Sequence, residues 1–358
     1  MENFTSARNF CSQELDTFQP PAVLVSNSAL RMLEIVLDLV FSNVVACTGV
    51  VTNVLDLAVF YRQGFQDSVN VSLAAIALWD LAKCLCGAAF RLHGLISLFS
   101  PFTGFIWKNL STPNLQNLQR LIGYTSYAMA AYVAVERCLC VSMPFKVKTI
   151  VTPKLTFLMM LAISVGVFGS FVIMLFIYRI DWVCSSEYFG RTIAVYSYND
   201  FYYENGVHVV TYYNIIGILN PVISFSIMVV CTVIIYYHLR RASDFRIKSQ
   251  HGDAGASGRG KDLPLQMSVR DRQVIRMLLV VILVYIVNFV PLVAQYVAKL
   301  MIPEFYFLKR YHNSFVLTAY LMFLVDLVNA SVNFFIYLTM SSNFRRTFFD
   351  MFSNHRKG

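Results

Sequence analysis

Residues 277–298 read MLLVVILVYIVNFVPLVAQYVA, a stretch with no charged side chain. A helix rises about 1.5 Å per residue, so roughly 20 such residues cross the ~30 Å hydrocarbon core of a bilayer. The stretch has six counterparts. Apolar blocks lie at about 34–60, 69–95, 113–141, 155–178, 208–240, 271–300 and 313–340. The third is the least hydrophobic, and its polar residues fall where a helix bundle would turn them inward. Only 14% of the chain is charged, against about a quarter in soluble domains, so 358 residues predict one bundle rather than two soluble domains. The expected fold class is an all-α membrane protein, a seven-transmembrane helix bundle over 34–340.

The flanks complete the expectation. Residues 1–33 form an extracellular N-terminus without the basic start and apolar run of a signal peptide, leaving insertion to the first span. Between spans five and six, 241–270 mixes Gly252, Gly255, Gly258, Gly260 and Pro264 with basic residues, the composition of a mobile loop. In 341–358, Asn343-Phe344-Arg345-Arg346-Thr347-Phe348-Phe349 alternates aromatic and basic residues at helical spacing, as in a short amphipathic eighth helix on a lipid surface.

The net charge of +9 sits around the membrane rather than on a nucleic-acid-binding face. Arg137, Lys146, Lys148, Lys154, Arg345, Arg346 and the basic run 240–276 share one side, which the positive-inside rule makes cytoplasmic. The chain is then plasma-membrane, multi-pass, N-terminus out and C-terminus in. The sequons at Asn3 and Asn109 face outward and become glycosylation candidates. Cys11 and Cys184 alone reach the oxidising side; they form a disulfide there or stay as two thiols.

Ionic groups inside spans are costly and usually face a bundle interior or wet cavity. Asp56, Asp80, Lys83, Arg91, Arg120 and Asp326 are too many for a passive anchor. Their setting resembles the rhodopsin (class A) family of G-protein-coupled receptors along the whole chain. The matches run in order: Gly49-x-x-x-Asn53; Asn70-x-Ser72-Leu73 with Ala77-Leu78-Trp79-Asp80-Leu81; Glu136-Arg137-Cys138 with Pro144; Pro221; Pro291; and Asn329-x-Ser331-x-Asn333-Phe334-x-x-Tyr337 followed by Phe344-Arg345. More narrowly, Arg62 to Leu73, Val135 to Cys140 and Met340 to Arg345 resemble invertebrate FMRFamide and neuropeptide receptors and molluscan candidate chemosensory receptors. Departures stand beside the matches. Thr112 replaces the third-span cysteine, Phe289 the sixth-span tryptophan, Phe334 the seventh-span proline and Val229 the fifth-span tyrosine, and span four lacks tryptophan.

The resemblance implies a switch and two sites. Glu136, Arg137, Asp271 and Tyr337 match the family's G-protein switch, with an Arg137–Asp271 pair holding the resting state and a solvated arginine as the alternative. Asp80, Ser126, Asn329 and Asn333 match its sodium positions; one carboxylate with neutral oxygens suits a hard cation, the alternative being a hydrogen-bonded cluster without an ion. Arg91, Gln119, Arg120, Phe289 and Asp326 are candidate ligand-pocket residues. Cations there suit a ligand carboxylate and Asp326 a ligand cation, or Arg91 or Lys83 pairs internally with Asp326. Tyr196, Tyr198, Phe201, Tyr202 and Tyr203 are placed to cover the entrance or to anchor at the interface.

The expected function is a receptor passing an extracellular signal, most simply a neuropeptide, to a heterotrimeric G protein, with arrestin and membrane lipid as further partners and no cofactor beyond allosteric sodium. A chemosensory receptor for small external ligands is the alternative, a transporter the alternative of another class. An opsin needs a seventh-span lysine, absent from 313–340, and Gln119 replaces the acidic residue of amine receptors. No catalytic motif or metal-ligand spacing points to an enzyme.

Overall fold

The computed structural model describes residues 24–185, 190–251, 269–306 and 309–353. Seven long helices cross the molecule. They are α1 (Asn27–Gln63), α2 (Ser68–Phe99), α4 (Asn117–Ser142), α6 (Pro153–Leu175), α7 (Asp200–His251), α8 (Val269–Met301) and α9 (His312–Met340). Shorter helices α3 (Pro101–Ser111), α5 (Pro144–Ile150) and α10 (Ser342–Ser353) join or follow them. Six of the seven are long and apolar enough to span a bilayer. The seventh, α4, is the polar helix that the third block announced. Its 26 residues give a length of about 39 Å at 1.5 Å per residue, and it buries Gln119, Thr125, Ser126, Glu136 and Arg137 among its neighbours.

Local chemistry sets the ends. Ser100 accepts from the Thr103 backbone N–H at 3.2 Å with Pro101 at the first helical position. Thr152 and Pro153 repeat the device at 3.3 Å. Such caps satisfy orphan donors where proline has none to lose. Gly64 closes α1 at φ 78°, a backbone open to glycine at no steric cost. The core gathers on α4, where Leu121, Met129, Met228, Leu278, Ile282 and Phe289 are all buried. Phe157, Leu158, Leu161 and Val165 of α6 point outward, as a lipid-facing surface requires. At Gly49 a methyl group would overlap Cys84 Sγ and Ser331 Oγ, so α1, α2 and α9 meet closely there. Asn53 fixes that contact by donating to the Ala330 carbonyl at 2.8 Å.

The helical bundle carries one addition, as β1 (Tyr178–Ser185) and β2 (Arg191–Tyr198) form an antiparallel hairpin between α6 and α7. Its β-branched and aromatic residues fit a half-buried pleated surface, and Ser197 and Arg179 both donate to Asp181, at 2.7 and 3.0 Å. Those donors hold the Asp181 carboxyl below its usual range, the Ser197 bond contributing most. The expected loop at 241–270 begins as a continuation of α7 to His251; 252–268 lies outside the described residues. Asn109, the outward-facing sequon residue, is half-buried in helix α3. Its side chain donates to Phe105 O at 3.2 Å, and Ser111 Oγ of the same sequon donates to Trp107 O at 2.6 Å. Asn3 lies outside the described residues.

Candidate functional site

At the hairpin end of the bundle lies a cavity of about 450 Å³. Three helices line it with stripes at helical spacing, which places each set on one face. Helix α4 gives Arg120, Gly123, Tyr124 and Tyr127; α8 gives Asn288, Leu292, Gln295, Tyr296 and Lys299; α9 gives Phe315, Ala319, Met322, Phe323 and Asp326. Tyr213 of α7 adds a wall, and the hairpin covers the site with Tyr178, Tyr196, Ser197 and Tyr198. Tyr202 contributes indirectly, stacked on Tyr198 with ring centroids 3.8 Å apart. Phe201 and Tyr203 are exposed instead.

Of the expected pocket residues, Arg120 and Asp326 line the cavity; Arg91, Gln119 and Phe289 do not. Adjacent residues on a helix point about 100° apart, and Gln119 faces Arg91, accepting from Nη1 at 3.3 Å. Arg91 is committed to Asp38, its Nε donating to Oδ1 at 2.9 Å and to the Asp38 carbonyl at 3.0 Å. Phe289 sits beneath the cavity, edge-on to Tyr127 at 5.3 Å and stacked on Phe225 at 5.2 Å. Sequence reasoning missed Lys299, Tyr127, Asn288 and Tyr296. The stripe Asn288, Gln295, Tyr296, Lys299 was the available signal, polar residues on one face of an otherwise apolar span.

Below the cavity lies an ionic relay. Lys83 Nζ sits 3.0 Å from Asp326 Oδ1 and 3.4 Å from Asp80 Oδ1. Tyr127 also donates to Asp326 at 3.4 Å and accepts from Asn288 at 3.0 Å. Asp80 further accepts from Ser126 at 3.3 Å and from Asn333 Nδ2 at 3.1 Å. Of the four expected sodium residues, Ser126 and Asn333 gather on Asp80, and Asn329 makes no hydrogen bond with it. A fixed ammonium already supplies the positive charge at Asp80, Asn333 turns a donor toward the carboxylate, and the Asn329 side chain has no hydrogen-bond partner among the described residues. Of the internal pairings left open by the sequence, Lys83 with Asp326 is present, whereas Arg91 turns to an acid that the sequence reading passed over.

At the opposite end, Arg137 and Glu136 are both buried and paired, Nη2 to Oε2 at 3.0 Å. Thr156 of α6 donates to the other Glu136 oxygen at 2.9 Å, and Tyr132 donates to Thr156 at 3.2 Å. Arg137 here pairs with its sequence neighbour; the side chain of Asp271 lies outside the described residues. Tyr337 is buried between Phe60 and Phe344, with centroids 5.7 and 5.6 Å away.

A cavity under a hairpin, a charged relay and a closing Glu-Arg pair are thus strung along one seven-helix bundle. Residues 40–355 match the model of the serpentine type 7TM GPCR chemoreceptor Srw. The chain belongs to this Srw family. It is a receptor family rather than an enzyme family, so the chain is a multi-pass membrane protein whose partners are an extracellular ligand and a G protein. The resemblance to rhodopsin-type receptors holds at the level of G-protein-coupled receptors, while the family itself is one of chemoreceptors. Among curated proteins, none matches this Srw chain. Cys184 of its hairpin is disulfide-bonded, while Cys47, Cys84, Cys86, Cys138 and Cys231 remain thiols; Cys11 lies outside the described residues.

Proposed function

We propose that this Srw receptor is a chemosensory receptor, with the hairpin end extracellular and the Glu136–Arg137 end cytoplasmic. Ligand in the cavity shifts the bundle toward a state in which Arg137 leaves Glu136 and engages a heterotrimeric G protein, a population shift between two packings. The observation that carries this reading is the hairpin-covered cavity of about 450 Å³, within the ~300–1,000 Å³ of small-molecule sites. Its wall residue Asp326 is joined through Lys83 to Asp80. The neuropeptide reading rests on the resemblance at 62–73, 135–140 and 340–345; the modest size and lid of the cavity favour a small chemical. Exposed Arg345, Arg346, Phe349 and Phe352 on α10 suit a lipid headgroup surface, and arrestin would engage the same cytoplasmic end.

The test is a G-protein dissociation reporter in cells expressing the full chain, challenged with panels of small soluble chemicals and of amidated neuropeptides. Small chemicals should evoke a signal that Arg137→Ala reduces at least tenfold, equivalent to about 1.4 kcal/mol of lost coupling, at unchanged surface expression. Responses confined to peptides would replace the chemosensory reading. For orientation, an N-terminal epitope tag should stain intact cells and a C-terminal tag only permeabilised ones. Both tags on one face would rule out an odd number of crossings.

A further inference from the structure

We infer that the cavity takes a small organic anion, a carboxylate head with an aromatic or other apolar body. The inference rests on the reading of the cavity as the ligand site. Arg120 and Lys299 both line it, and neither has a carboxylate within ion-pair distance among the described residues. The guanidinium of Arg120 lies 5.6 Å from the Phe323 ring, and its polar contacts, Asn117 Oδ1 at 3.5 Å and the Tyr213 hydroxyl, are both neutral. The ammonium of Lys299 is boxed by the rings of Tyr296, Phe315 and Tyr306 at 4.9, 5.2 and 5.6 Å. Ring faces offset only part of the cost of holding a cation out of water. A bound carboxylate supplies the missing counter-charge, and the planar fork of an arginine receives it through two parallel hydrogen bonds.

The one carboxylate on the wall does not reverse this. Asp326 already receives Lys83 at 3.0 Å and the Tyr127 hydroxyl at 3.4 Å, and Lys83 reaches it from outside the cavity lining. A cationic ligand would meet two positive groups without a carboxylate partner, against one acid already engaged by the Lys83 that it shares with Asp80. The tyrosine-rich walls provide π faces for the body, and Tyr124 and Tyr296, hydrogen-bonded to each other, present polar edges beside it. Charge repulsion of this kind selects between ligands as effectively as attraction does.

The test uses the purified full-length receptor in detergent and three matched probes: phenylacetate, phenylacetamide and phenethylamine. In thermal melts at millimolar concentration, phenylacetate should raise the melting temperature, and the amide and amine should not. Arg120→Gln should weaken the phenylacetate effect at least about tenfold, the loss of one charge-assisted pair. Lys299→Gln should weaken it severalfold, and Lys299→Arg should restore it. Ala319→Trp, which fills the cavity, should abolish it. No phenylacetate shift, an equal or larger shift with phenethylamine, or full retention in Arg120→Gln overturns the anion inference. If phenethylamine binds and Ala319→Trp blocks it, the cavity remains the ligand site and only the anion inference falls. If phenylacetate binds undiminished in Ala319→Trp, the cavity itself is the wrong site.

Discussion

Lys83→Ser should destabilise this receptor more than any other single substitution in the upper half of the bundle, and it should create a sodium response that the native chain lacks. Lys83 and Asp80 are fully buried, and the Asp326 side chain is 13% exposed. Removing one partner from a buried ionic set leaves uncompensated charge, at a cost of about 3–5 kcal/mol. Here two carboxylates are orphaned at once, and they also repel each other. The readout is a thermal melt in detergent, with surface expression alongside. Replacing choline by sodium should leave the native melting temperature unchanged. It should raise that of Lys83→Ser, where a serine oxygen and the vacated volume sit among Asp80, Ser126 and Asp326. The triple variant Lys83→Leu, Asp80→Asn, Asp326→Asn should recover most of the stability, because amides are far cheaper to bury than carboxylates. A native receptor stabilised by sodium through Asp80, or a Lys83→Ser variant as stable as the parent, would refute the tethered-cation account.

That relay also marks the limit of what the sequence discloses. Asp80 and Lys83 stand three residues apart on one helix, hence on the same face within reach of each other. The spacing alone placed an ammonium beside the supposed sodium carboxylate. Matching positions to a family pattern hid it, since a pattern transfers ligands without the residues that neighbour them here. The seven helices were legible for the opposite reason. Lipid exposure demands runs of apolar side chains, and a composition-wide demand survives the loss of any one motif. Even polar α4 was recoverable, because a helix wrapped by neighbours is released from the lipid constraint. The hairpin was not recoverable in the same way. Its strands alternate weakly and lie beside an apolar span, although Gly190, at φ 74° in the described part of the turn, and the run Thr192-Ile193-Ala194-Val195-Tyr196 were turn and strand signals.

Charged residues in spans announced the cavity, yet which of them face it depended on phase. Arg120 and Gln119 differ by one position and point to different neighbours. Asp38 shows the same effect more strongly. It belongs to the π-helical stretch Glu34–Phe41, where an altered turn shifts side chains off the regular α-helical register. Simple periodicity therefore gave no reason to aim it at α2.

Breaking that contact should unseat α1. Arg91 and Asp38 are 1% and 3% exposed. Their pair carries two further hydrogen bonds, Arg91 Nη1 donating to Gly87 O at 3.1 Å and to Gln119 Oε1 at 3.3 Å. Nearby, Glu34 joins Arg31 and Lys108 at 2.8 Å each, but Arg31 and Lys108 are substantially exposed, so those bonds are screened and contribute little. The buried pair should dominate. Asp38→Asn and Arg91→Met should each lower stability by about 3–5 kcal/mol, since each strands a buried charge or its donors. Arg31→Ala should cost no more than about 1 kcal/mol. Combining Asp38→Leu with Arg91→Leu should cost clearly less than the two single substitutions added together, a coupling of a few kcal/mol between residues in direct contact. Thermal melts of the four-member cycle measure it. Strict additivity would mean that the two side chains act independently, and that something other than this ion pair seats the first helix against the second. Because Gln119 immediately precedes cavity-lining Arg120, Arg91→Met should also weaken phenylacetate binding modestly, as the α4 face loses an anchor. Lys108→Ala should leave that binding unchanged, as its bond to Glu34 lies at the exposed rim.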